Sequence, residues 1–118
     1  MNLKQQIGQY GQQIAKEFLI KRGYQVIKEN YYTRLGEIDL IIKDHNQLVF
    51  VEVKTRTSLK FGLPEEAVSQ FKKERMINCA LQYLSEKEIQ DDNYRLDIIA
   101  ILINKDNKKA LIRHHKNI

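Results

Sequence analysis

Two carboxylates and a lysine, Asp39, Glu52 and Lys54, are spaced so that they could hold a divalent cation and leave an ammonium free for substrate or water. They lie in residues 36–56, where two arms rich in Ile, Val, Leu and Phe flank the polar break Asp44-His45-Asn46-Gln47. That pattern predicts a β-hairpin. A turn centred on His45-Asn46 sets Asp44 against Gln47, and alternation along the strands fixes the rest. Ile38 with Val53, Leu40 with Val51 and Ile42 with Val49 then form an aliphatic face that must be buried. On the other face Glu37 opposes Lys54, Asp39 opposes Glu52, and Ile41 opposes Phe50.

Like charges directly opposed across a sheet cost from a few tenths to about 1 kcal/mol, and more where water is scarce. Mg²⁺ or Mn²⁺ would turn the Asp39/Glu52 repulsion into ligation, because both ions prefer carboxylate oxygens and keep several waters. The other reading of this face is a solvated one carrying a Glu37/Lys54 salt bridge. A one-residue slip of the turn would send Asp39 to the opposite face.

The elements that must position these groups follow from periodicity. In residues 3–21 the apolar positions Leu3, Ile7, Tyr10, Ile14 and Phe18 recur every three or four residues, which predicts an amphipathic helix ended by Gly23. Gly8, Gly11 and Ala15 make a small-residue strip beside that stripe, so the helix is expected to lie flat on the sheet with another backbone close by. Residues 24–32 read as a first strand leading into the hairpin, giving a three-stranded meander. Residues 55–64 read as a polar loop next to the carboxylates, a placement that usually touches substrate.

A second helix could start at Pro64 or at Ser69; Ser69 is the better cap, with Ile77, Ala80, Leu81 and Leu84 facing the sheet. Lys72, Lys73 and Arg75 then fall in its first turns, where the helix dipole disfavours cations. Phosphate docking at that end would account for them; so would a solvated basic face. Arg34 and Arg56, which bracket the hairpin, join them as candidate nucleic-acid contacts. Residues 85–93 read as a polar connection and 94–103 as a strand buried on both faces. Its one charged interior residue, Asp97, is expected to pair with Arg95 or cap a neighbouring backbone. A turn over 104–109 leads to a last strand, 110–115. His114 and His115 could bind metal, but adjacent strand residues face opposite ways, and a loose C-terminal end is expected. The order αβββαββ predicts an α/β fold with a mixed β-sheet flanked by helices.

At 118 residues the chain is the size of one domain, spanning 1–118. Lys and Arg number 20 against 15 acidic residues, a net charge of +5 that leans towards a polyanionic partner such as DNA. The single cysteine, Cys79, excludes an internal disulfide and reads as buried core filler in a reducing compartment. No run resembles a signal peptide or a membrane span, so a cytoplasmic protein is expected.

Gly36-Glu37-Ile38-Asp39-Leu40-Ile41, followed by Phe50-Val51-Glu52-Val53-Lys54-Thr55-Arg56, Phe61-Gly62, Lys72 and Arg95-Leu96-Asp97, resembles the YraN family of uncharacterised bacterial proteins. That family resembles in turn the archaeal Holliday junction resolvases of the PD-(D/E)xK nuclease superfamily. The resemblance implies a restriction-endonuclease-like core and metal-dependent phosphodiester hydrolysis. Asp39, Glu52 and the Val53 carbonyl would hold Mg²⁺, and Lys54 would position or activate water. Resolvase relatives act as dimers, so a homodimer is implied too, although no pattern in this chain marks an interface. One departure stands out: relatives carry Gly-x-x-Gly-Glu in the first helix, whereas Gly8-Gln9-Tyr10-Gly11 is followed here by Gln12. A neutral amide ligates metal weakly. The readings are therefore a Mg²⁺-dependent DNA endonuclease, a nucleic-acid-binding module that lost turnover through Gln12, or a structural or protein-partner role.

Overall fold

The computed structural model describes residues 1–90 and 93–118. Helix α1 spans Leu3–Lys21, strands β1, β2 and β3 span Gln25–Thr33, Gly36–Asp44 and Gln47–Arg56, helix α2 spans Gln70–Glu86, and β4 and β5 span Tyr94–Ile103 and Ala110–His115. One mixed sheet runs in the order β1-β2-β3-β4-β5, with β3 and β4 parallel and all other neighbours antiparallel. This is the α/β arrangement expected from the sequence, and it is consistent with a restriction-endonuclease-like core. Asp91 and Asp92, in the connection expected over 85–93, lie outside the described residues; Ser85 and Glu86 still belong to α2.

Each face of the sheet carries its own apolar layer. Ala15 and Leu19 of α1 pack on Leu40, Ile42, Val49, Val51, Ile99 and Ile101. On the opposite face Met76, Cys79, Ala80, Tyr83 and Leu84 of α2 pack on Ile38, Ile41, Phe50 and Leu96. β4 is thus covered on both sides, as its largely apolar sequence requires. Among the described residues no helix is long and apolar enough to cross a membrane.

Both helices sit rotated from their expected faces. In α1 the buried residues are Gly11, Ala15 and Leu19, while Leu3 is 65 % and Tyr10 52 % exposed. The small residues win because they bring the helix axis nearer the sheet: a Cβ at Gly11 would overlap the Thr55 side chain. Gly8 has nothing within 4 Å of the same position, so the close approach is confined to Gly11 and is made to a side chain, not a backbone. In α2 the expected Ala80 and Leu84 are buried and Ile77 packs at the edge of the layer, but Met76, Cys79 and Tyr83 join them and Leu81 is exposed. The ends follow expectation: Ser69 Oγ accepts the Lys72 N–H at 3.1 Å, and α1 stops at Gly23 with φ +92°.

The C-terminal end is not loose. Asn117 N–H donates to Asp97 at 3.0 Å and Ile118 N–H to the Leu96 carbonyl at 2.9 Å, which seats Ile118 against the α2 layer. The two histidines of β5 each meet a carboxylate distant in sequence, His114 at Asp97 and His115 at Glu65, both at 2.7 Å.

Gly8→Ala should raise stability by about 0.5–1 kcal/mol, since it improves helix propensity and meets only open space. Gly11→Ala should lower it. Paired urea titrations check both signs; two equal gains would show that α1 does not press on Thr55.

Candidate active site

The hairpin has its expected register from Asp44/Gln47 to Leu40/Val51, and there the β2–β3 ladder ends. Asp39 and Glu52 are therefore not a regular opposed pair. Instead the Asp39 carboxylate accepts the Val53 N–H at 2.8 Å, a side-chain acceptor standing where a main-chain carbonyl would otherwise serve. On the other edge of β2, Glu29 pairs with Leu40 and Tyr31 with Ile38, and Asn30 between them has φ +55°. Leu40 packs with the α1 layer while Ile38 packs with the α2 layer. Residues two apart on a regular strand share a face. The strand therefore switches faces at Asp39, which corrects the expected grouping of Ile38 with Leu40 and Ile42.

That switch lets Asp39 line a cavity of about 750 Å³ between α1 and the hairpin, together with Gly8, Gln12, Asn30, Glu37 and Val53. Gln12 lies on the same cavity as Asp39, with its amide donating to Asn30 Oδ1 at 3.0 Å. Glu52 is 3 % exposed. Its Oε1 lies 3.6 Å from Lys54 Nζ and 3.4 Å from Lys72 Nζ, while Oε2 is buried without a hydrogen-bond partner among the described residues. Lys54 thus answers Glu52 and not Glu37, and the solvated-face reading does not describe this site.

Burial raises the Asp39 pKa from 3.8 to about 7, the Glu52 charge adds to that rise, and the Val53 N–H opposes it. Two carboxylates short of water, one with a bare oxygen, suit a hard divalent cation that retains its own waters. Among the described residues no three His, Cys, Asp or Glu side chains come together, so the side chains this site could offer an ion are the two carboxylates alone. The fit is that of an open site.

The remaining candidates divide. Lys72 reaches the site itself. Arg75 Nε donates to the Leu35 carbonyl at 2.6 Å and lies over Gly36, while Arg34 is exposed and Lys73 and Arg56 are half-buried. A second cavity of about 340 Å³, on the α2 side, includes Lys72 and Arg75 and shares Tyr32 and Glu37 with the first. Asn30 was not legible as a site residue. Its only sequence signal is that Asn tolerates the left-handed backbone better than most residues.

Residues 11–101 match the family described as Uncharacterised protein family UPF0102. A UPF0102 protein of Caldicellulosiruptor bescii is 48 % identical over 114 residues, covering 95 % of this chain and 94 % of its own. Relatives from Caldanaerobacter subterraneus subsp. tengcongensis and Caldicellulosiruptor saccharolyticus are 43 % and 39 % identical over 101 and 114 residues. They cover 86 % and 97 % of this chain and 83 % and 97 % of their own.

A carboxyl that holds its proton more tightly folded than unfolded contributes stability that is full below the unfolded pKa and lost as pH rises through the folded one. For Asp39 that window runs from 3.8 to about 7. The metal-free protein should lose at most about 1.4 kcal/mol per pH unit through this group. Asp39→Asn should remove that component, and Glu52→Gln only part of it, since burial remains. Denaturant midpoints of the three proteins across this pH range check it; identical pH profiles would refute the placement of Asp39.

Proposed function

The chain belongs to the uncharacterised protein family UPF0102, whose relatives' names state no reaction, and from its own site we propose a Mg²⁺- or Mn²⁺-dependent endonuclease that hydrolyses phosphodiester bonds in DNA, branched or otherwise structured DNA included. The observation that carries this reading is the buried Glu52, one oxygen held between two lysines and the other bare, beside an Asp39 whose own burial resists its ionisation.

Asp39, Glu52 and the Val53 carbonyl would hold the ion, which when bound supplies Lewis acidity and a more acidic water. The other tasks fall to the lysines. Lys54, on the Glu52 face of β3, holds the attacking water by donating from its ammonium. Lys72, approaching the same carboxylate from α2, has its charge where a non-bridging phosphate oxygen would gain negative charge in the transition state. Both ammonium groups already lie within 4 Å of Glu52, so they are positioned before substrate arrives. Arg34, Lys73 and Arg75 are candidates for flanking phosphates.

Gln12 favours a second reading, a DNA-binding module with weak or lost turnover. Its amide is engaged with Asn30, and it brings no third carboxylate to the Asp39 cavity. Incubating the protein with branched and linear DNA in Mn²⁺ separates the two readings, because binding without cleavage supports the second.

Divalent metal should raise the melting temperature, by the equivalent of about 2.7 kcal/mol at a hundredfold excess over Kd. Asp39→Asn and Glu52→Gln should each abolish that response along with cleavage. If both variants respond to Mn²⁺ as the parent does, the metal binds elsewhere.

Gln12→Glu should act with opposite signs in two conditions. Without metal the added carboxylate, repelled by Asp39 and Glu52, should lower the melting temperature. With Mn²⁺ it should tighten metal binding and speed cleavage. No difference in either condition would detach position 12 from the site.

A further inference from the structure

A groove of about 430 Å³ runs between the amino-terminal half of α1 and the outgoing end of β3. Lys4, Lys54, Arg56 and Lys105 line it, and no carboxylate does. Gly8 and Val53 belong both to this groove and to the cavity that holds Asp39, so the two are continuous. Lys54 is the groove's contact with Glu52, whereas Lys4, Arg56 and Lys105 form no ion pair among the described residues. The two cations that line the α2-side cavity are engaged, Lys72 with Glu52 and Arg75 with the Leu35 carbonyl. Lys4 and Lys105 therefore leave positive charge beside the site unspent, and Arg56 donates only to the carbonyl of its neighbour Thr55, at 3.3 Å.

Its floor has a second character. Leu3 and Ile7, the part of the α1 stripe that never reaches the sheet core, line the same groove. A duplex would present only phosphates and sugars to such a surface, and an aliphatic floor would gain little from them. A single strand presents phosphates and unstacked bases together, which cations and an apolar floor can meet at once. The volume agrees, being in the range of small-ligand cavities and too small for a double helix.

We propose that this groove seats a single-stranded arm of the nucleic acid whose junction with duplex lies at the Asp39/Glu52 site, with Lys4, Arg56 and Lys105 as its phosphate contacts. The proposal rests on the endonuclease reading for the location of the cut and refines its substrate to DNA in which a duplex gives way to an unpaired strand.

The test measures binding of the full chain, in chelator, to labelled duplexes that are either blunt or carry a single-stranded tail, by anisotropy across a salt series. The parent should prefer tailed DNA. The Lys4→Gln/Lys105→Gln double variant alters two exposed side chains outside the site and should keep the parent's melting temperature. It should bind tailed DNA no better than blunt DNA, with a salt slope lowered by about 0.7 for each lost phosphate contact. Equal parental affinity for tailed and blunt DNA would overturn the groove, as would a double variant that weakens both alike. Cleavage in Mn²⁺ is scored separately. A parent that prefers tails but cuts nothing refutes the nuclease and keeps the groove; one that cuts while ignoring tails refutes the groove alone; and one that binds no DNA refutes both.

Discussion

One hydrogen bond organises the site: the Val53 N–H donating to Asp39. A main-chain donor in a sheet ordinarily meets a main-chain carbonyl, and a buried donor left without any acceptor costs roughly 1–3 kcal/mol. Here a carboxylate takes the carbonyl's place, so the β2–β3 ladder can stop at Leu40/Val51 without an orphaned amide. Ending the ladder in mid-hairpin is what frees β2 to switch faces between Leu40 and Ile38 and to turn Asp39 towards α1. Glu52 meanwhile stays on the α2 side with Phe50, within reach of Lys72. The two carboxylates thus approach one locus from two faces of one sheet, and the cavities either side of Tyr32 and Glu37 follow from that geometry.

The chain holds another buried carboxylate that has been settled in the opposite way. Asp97 is fully buried, and burial pushes its pKa up, but His114, Nε and Nη2 of Arg95 and the Asn117 N–H more than offset this and hold it low. Arg95 also reaches Asp44 at 2.8 Å, tying the hairpin end to β4. Every oxygen of Asp97 is used. Removing a partner from such a network strands a buried charge, which makes it a structural clamp. At Asp39 and Glu52 the protein provides one amide and two lysines at 3.4–3.6 Å, and leaves one oxygen bare. The contrast distinguishes the two sites better than burial alone does, since Glu52 and Asp97 are both buried.

Sequence pattern was informative wherever a local rule decides the outcome. The limits of α1 and β4, the Ser69 cap, the His45-Asn46 turn and the register as far as Leu40/Val51 all depend on neighbours in the chain. It misled where distant partners decide. An apolar stripe counts side chains, but α1 docks through Gly11 and Ala15 because they permit close approach, leaving Leu3 and Tyr10 outside the core. Alternation carried Ile38 to the wrong face because nothing local announces that Asn30 adopts φ +55° and that Asp39 replaces a carbonyl. The histidines read as loose because their carboxylates lie 17 and 50 residues away. Lys72 read as a phosphate contact on α2, and its approach to Glu52 is a property of helix docking rather than of the helix.

The lysines set the terms on which an ion could enter. In the metal-free chain Asp39 and Glu52 offer up to two negative charges, and Lys54 and Lys72 answer with two positive ones, so the site can be neutral as it stands. A divalent cation placed against Glu52 would meet both ammonium groups across a few ångströms, where repulsion between like charges is worth about a kilocalorie even in water and more in a partly dry cavity. Under the proposed reading, a phosphate group that accepts hydrogen bonds from the two lysines would offset that repulsion where they stand. Metal and phosphodiester should consequently bind better together than apart, by linkage through the two lysines. The same reasoning explains why a neutral residue at position 12 is tolerable. With two ammonium groups beside two carboxylates, one of which burial keeps from ionising fully, Gln12 adds no further charge to the resting site, and a third carboxylate would be useful only once the ion is present.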